Sequence, residues 1–75
     1  NFFSIQLGAF RSRENAEKRL NELKSKGISD CRIEEQIFKE DTYFCIRQGN
    51  FVEYAGARRK MESLKNANID AIVMP

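Results

Sequence analysis

Phe3-Ser4-Ile5-Gln6-Leu7-Gly8-Ala9-Phe10 and Phe44-Cys45-Ile46-Arg47-Gln48-Gly49-Asn50-Phe51 are one segment written twice, 41 residues apart. Phe3 and Ile5 fall on Phe44 and Ile46, Gly8 on Gly49 and Phe10 on Phe51. The correspondence continues downstream, where Ala16 falls on Ala57, Leu20 on Met61, Leu23 on Leu64, Gly27 on Asn68 and Ile28 on Ile69. Nine matches at a single offset mark an internal duplication. The chain is therefore read as two units, about residues 1–38 and 42–75, within one domain spanning 1–75.

Each unit has the same local code. In the first segment Phe3, Ile5 and Leu7 point one way and Phe2, Ser4 and Gln6 the other, the period-2 alternation of a strand with one buried face. Gly8 and Gly49 then suit a turn. An apolar stripe follows at spacings of three and four, Ala16-Leu20-Leu23 or Ala57-Met61-Leu64, which is one side of a helix. Ser12 is placed to cap the first helix, with Glu14 near its positive end. Gly27 suits a left-handed C-terminal cap, and Asn68 is the residue that best replaces glycine there. A last strand holds Cys31 and Ile33 in one unit, Ala71 and Val73 in the other. Lys39, Glu40, Asp41 and Thr42 separate Ile37-Phe38 from Tyr43-Phe44 and read as a hairpin loop.

The order is thus βαββαβ, an α+β fold of the ferredoxin-like or RNP-like kind: a four-stranded antiparallel sheet with two helices on one face. The first and third strands are central, and the opposite face is left open to water. Parity places Ser4, Gln6, Tyr43, Cys45 and Arg47 on that face. Arg32, Glu34, Gln36 and Phe38 join them from one flanking strand, and Ile72 and Met74 from the other. Gln6 and Arg47 are repeat equivalents and should meet in mid-sheet. Amide, hydroxyl and guanidinium groups among aromatic and apolar side chains suit a sugar, whose hydroxyls and acetamides want polar partners and whose ring faces want apolar ones. The same residue types also occur on sheets that only face solvent. Phe10 and Phe51 are read as closing the ends of the core, and Arg58, Arg59 and Lys60 as a solvated helix face.

Composition narrows the function further. Seventy-five residues, 41% hydrophobic and 32% charged, make an ordinary globular domain. A domain of this size buries only about 60% of its unfolded surface, so a ligand site is shallow and a deep catalytic cleft is disfavoured. The net charge of +2 is too small for a nucleic-acid footprint. No apolar run reaches a membrane span and no signal peptide is visible, so direct membrane insertion by this domain is not expected. Asn1 and Pro75 abut structured-looking segments, as in a domain that is part of a larger chain. The sequence contains no histidine, which removes His-based acid–base chemistry and the usual zinc site, and no cofactor is implied. Glu34 and Glu35 are adjacent in a strand, face opposite ways and cannot share one bond. With the hairpin turning at Glu40-Asp41, Ile37 faces Phe44, Cys31 points inward and Cys45 outward, which opposes a disulfide between them.

The opening strand, followed by Asn15-Ala16-Glu17, resembles the start of SPOR domains, where an apolar-Gln-apolar-Gly-Ser/Ala-Phe strand precedes a helix with a small-residue and leucine stripe. Tyr43-Phe44-Cys45-Ile46-Arg47-Gln48-Gly49-Asn50-Phe51 is similar to that family's Tyr-Arg-Val-Arg-Val-Gly-Pro-Phe segment, and Ile69-Asp70-Ala71-Ile72-Val73-Met74-Pro75 to its close. The resemblance implies the βαββαβ fold and binding of peptidoglycan glycan strands, particularly strands stripped of stem peptides. It also implies residence in the periplasm or extracytoplasmic wall, within larger envelope proteins of division, sporulation or wall remodelling. The family's binding region is the sheet face and the loop into the first helix. Gln6 matches its strand-one glutamine and Ala9 a position often held by serine. Gln48, Asn50 and Cys45 depart from an apolar residue, a proline and an arginine.

The expected ligand-binding set is Phe2, Ser4, Gln6, Ala9, Tyr43, Cys45, Arg47 and Ile72, in a monomer without catalytic activity. Two other functions share the topology. An interaction or dimerisation module would use the apolar outward residues Phe2, Phe38, Ile72 and Met74. An RNA binder of the RRM kind needs a Gly-aromatic-Gly/Ala-aromatic run on strand three, which Tyr43 to Gly49 lacks.

Overall fold

A computed structural model describes residues 2–75; Asn1 lies outside the described residues. The elements are β1 (Phe3–Phe10), α1 (Arg13–Ser25), β2 (Cys31–Phe38), β3 (Asp41–Phe51), α2 (Tyr54–Asn66) and β4 (Ile72–Met74). The strands form one antiparallel sheet in the order β2-β3-β1-β4, the ferredoxin-like arrangement. Both helices pack on the face that carries Ile5, Leu7 and Ile46.

The duplication is visible in the packing. Ile5 and Ile46, Ala16 and Ala57, and Leu23 and Leu64 are all buried, each pair at equivalent positions of the two units. Alanine at 16 and 57 leaves no side-chain bulk between helix and sheet. Ser12 caps α1, its Oγ accepting from the Asn15 amide at 3.4 Å. Gly27 and Asn68 follow the helices in the left-handed region, at φ +84° and +62°. Gln6 pairs directly with Arg47, so the local two-fold passes between them. That two-fold also exchanges the pairs Phe3–Phe51 and Phe10–Phe44.

Three local expectations are corrected. Gly8 and Gly49 do not turn the chain but lie inside β1 and β3. Each sits beside a register shift between the central strands, where a bulge accommodates it. Gly49 is at φ +76°, and the Phe10 and Phe51 rings lie so close that a Cβ on either glycine would strike them. Second, the hairpin loop is only Lys39-Glu40, at φ +49° and +69°, the backbone of a tight two-residue turn. Asp41 and Thr42 belong to β3, so Ile37 faces Thr42 rather than Phe44, which faces Glu35. The displacement is by two residues, and every side chain keeps its face. Third, β4 begins at Ile72, after the buried Ala71.

Candidate functional site

No helix covers the second face of the sheet. Strand pairing aligns Arg32, Glu34, Gln36 and Phe38 of β2 with Arg47, Cys45, Tyr43 and Asp41 of β3. On the other side Ser4 and Gln6 of β1 lie opposite Met74 and Ile72 of β4. Ala9 joins this face because the bulge near Gly8 shifts the alternation, so that Ala9 pairs with Cys45. Strict parity from Ile5 would have sent it into the core. A depression of about 270 Å³ results, lined by Gln6, Ala9, Gln36, Phe38, Tyr43, Cys45 and Met74.

The open face is not uniformly open. Cys45, Arg47 and Ser4 point away from the core as expected, yet they retain only 3%, 8% and 9% of their exposure. Their neighbours' side chains cover them. Arg47 spans the sheet, donating from Nη2 to Gln36 Oε1 at 2.6 Å and from Nη1 to Ser4 Oγ at 3.4 Å. Gln36 leans across Cys45, its Oε1 4.0 Å from the thiol sulfur. Arg47 Nε is buried without a partner. Arg32, opposite Arg47 on β2, is instead neutralised by Glu34 and donates to the Gly49 carbonyl at 3.2 Å.

Tyr43 is half-buried at one end of the depression. Arg11, in the connection from β1 to α1, lies 5.6 Å over its ring and donates to Asp41 at 3.0 Å. One ring face is thus occupied by a guanidinium. Phe38 and Ile72 are exposed apolar groups on this side, 61% and 50% accessible, and Phe2, just ahead of β1, is also exposed. Gln36, Phe38 and Met74 are lining residues that the expected set omitted. Parity placed all three on the face, and strand pairing sets Gln36 opposite Tyr43, Phe38 opposite Asp41 and Met74 opposite Ser4.

On the helix side, Gln48 is buried next to Ile46, donates Nε2 to the Ser29 carbonyl at 2.7 Å and leaves Oε1 without a partner. Cys31 also faces the core, and burial, with the nearby Asp30 carboxylate as a smaller cause, pushes its thiol pKa up. Both cysteines are free, on opposite faces of the sheet. Glu34 and Glu35 likewise diverge, Glu34 pairing with Arg32 and Glu35 with Arg13. Among the described residues no helix is long and apolar enough to cross a membrane, and no group of His, Cys, Asp and Glu could hold a metal ion.

A small α+β module with a shallow, mainly apolar depression edged by two glutamines, Gln6 and Gln36, on the uncovered side of its sheet is built to bind at its surface. The family model for the SPOR domain matches residues 1–75, and the chain belongs to that family. SPOR domains are peptidoglycan-binding modules of bacterial envelope proteins, a binding family and not a catalytic one. Comparison with individual curated proteins and with solved structures gave no match.

Proposed function

We propose that this chain is a single glycan-binding module, residues 1–75, that brings a larger envelope protein to wall whose stem peptides have been removed, as at a division septum. The observation that carries the reading is the depression on the uncovered face, lined by Gln6, Ala9, Tyr43 and Cys45 among others, with Arg47 paired to Gln6 across the central strands. A glycan strand lies across it. Gln6, and Arg47 with Ser4 behind it, supply hydrogen bonds to acetamide and hydroxyl oxygens. Phe2, Ile72 and the free side of Tyr43 contact the C–H faces of the sugar rings. Ala9 makes the floor by offering no side chain beyond Cβ, and Cys45 contributes its sulfur surface beneath Gln36.

The test is retention on purified peptidoglycan sacculi, untreated and amidase-treated. Stronger retention after treatment is the expected result; no retention on either would overturn the proposal. A second reading, in which the same face pairs with a protein, is favoured by the exposure of Phe38 and Ile72. It predicts a concentration-dependent sedimentation coefficient, whereas the glycan reading predicts a monomer.

A further inference from the structure

The charge pattern of the uncovered face is uneven. Arg11 is paired with Asp41 and Arg32 with Glu34, but among the described residues no carboxylate lies within ion-pair distance of Arg47. A buried guanidinium without a counter-charge is costly, because the hydration it loses is not replaced by an ionic partner. What it has instead is one good neutral acceptor, the Gln36 amide oxygen at 2.6 Å, and a long contact to Ser4 at 3.4 Å.

The position of the missing partner is specific. Nε and Nη2 form one edge of a guanidinium, the edge on which a carboxylate binds with two parallel hydrogen bonds. In Arg47 the Nη2 half of that edge holds a single oxygen from Gln36, and the Nε half holds nothing. Gln36 is itself exposed and borders the depression. Rotation of this one surface side chain would free the Nη2 half of the edge without disturbing the core, and a carboxylate entering in its place would satisfy both halves.

We propose that Arg47 is a carboxylate receptor, with Gln36 as the side chain that occupies its edge until the ligand arrives. Resting on the glycan reading above, this assigns the group recognised. When an amidase cleaves the bond joining a stem peptide to the glycan, water adds across an amide and the lactyl side chain of the muramic sugar is left as a free carboxylate. In intact wall that carbon is a neutral amide, with no charge and only one oxygen. The fork of Arg47 thereby distinguishes stripped from unstripped strands by charge as well as by bulk, which a row of neutral hydrogen bonds does not do.

The experiment uses soluble glycan strands fully stripped by amidase, in two forms: lactyl carboxylates free, and the same carboxylates converted to primary amides with carbodiimide and ammonia. Affinity of the unaltered chain for each is measured by titration calorimetry. The expected result is at least tenfold weaker binding to the amidated strands, and loss of that difference in Arg47→Gln. Equal affinity of the unaltered chain for both forms would overturn the carboxylate assignment while leaving glycan binding standing. Binding to neither form would overturn the glycan reading and the carboxylate assignment together. Because the comparison of strands is made on the unaltered chain, it decides even if Arg47→Gln fails to fold.

Discussion

Arg47 and Gln48 are neighbours in β3, point to opposite faces of the sheet and are almost equally hidden, at 8% and 5% exposure. Their burial has different causes. Gln48 is shut in by the two helices and by Ile5 and Cys31 on the strands beside it, and only unfolding or a large helix movement would expose it. Arg47 is hidden by side chains of its own face, among them Gln36, which is itself exposed. Both carry an unpartnered buried atom, Gln48 Oε1 and Arg47 Nε. On the helix side an orphaned acceptor is a cost to stability. On the uncovered side an orphaned donor is within reach of a ligand.

Mutations sharpen or break this contrast. The largest effect belongs to the helix face. Ile46→Ala, at a residue with no exposure at all, should destabilise by about 2–5 kcal/mol in urea denaturation, since burial is lost and a cavity is left. A loss under 1 kcal/mol would mean that the helices close over the gap and the core is less rigid than drawn. On the open face, Arg47→Met should cost about 1.5–3 kcal/mol of glycan affinity, roughly ten- to a hundredfold, with thermal stability unchanged or raised. A folding defect instead would show that Arg47 is a structural residue and that the two faces are alike.

Smaller effects follow. Gln48→Met removes the orphaned acceptor and leaves the Ser29 carbonyl to water, so stability should rise by about 1 kcal/mol with glycan retention untouched. Gln6→Ala should lower glycan affinity by about 0.5–1.5 kcal/mol at constant melting temperature. Last, the raised thiol pKa of Cys31 means that the folded chain holds this proton to higher pH than the unfolded chain does. Its contribution to stability is complete below the ordinary thiol pKa and fades as pH climbs through the raised value. Cys31→Ala should therefore flatten the alkaline end of the stability profile slightly, as read by urea denaturation across that pH range.

The two-fold repeat and the alternation within β1 and β3 were enough to place the fold, the strand order and most open-face residues, but not Ala9 or Asp41. They succeed because strand side chains alternate by stereochemistry and because helices bury whatever stripe is apolar. The hairpin was misplaced because Lys39-Glu40 lacks the asparagine and glycine that usually announce two left-handed residues. The glycines looked like turns because a bulge and a turn ask for the same backbone freedom.

The sequence by itself determined which face the strand residues serve wherever the alternation is unbroken, and hence where a ligand would be sought. Only the tertiary structure decided which of those residues are accessible. Parity records direction and not cover, and cover on an open sheet comes from long side chains reaching across strands, as Gln36 reaches Arg47 from a position opposite Tyr43. That reach depends on register, bulge and rotamer together, and no spacing along the chain encodes it.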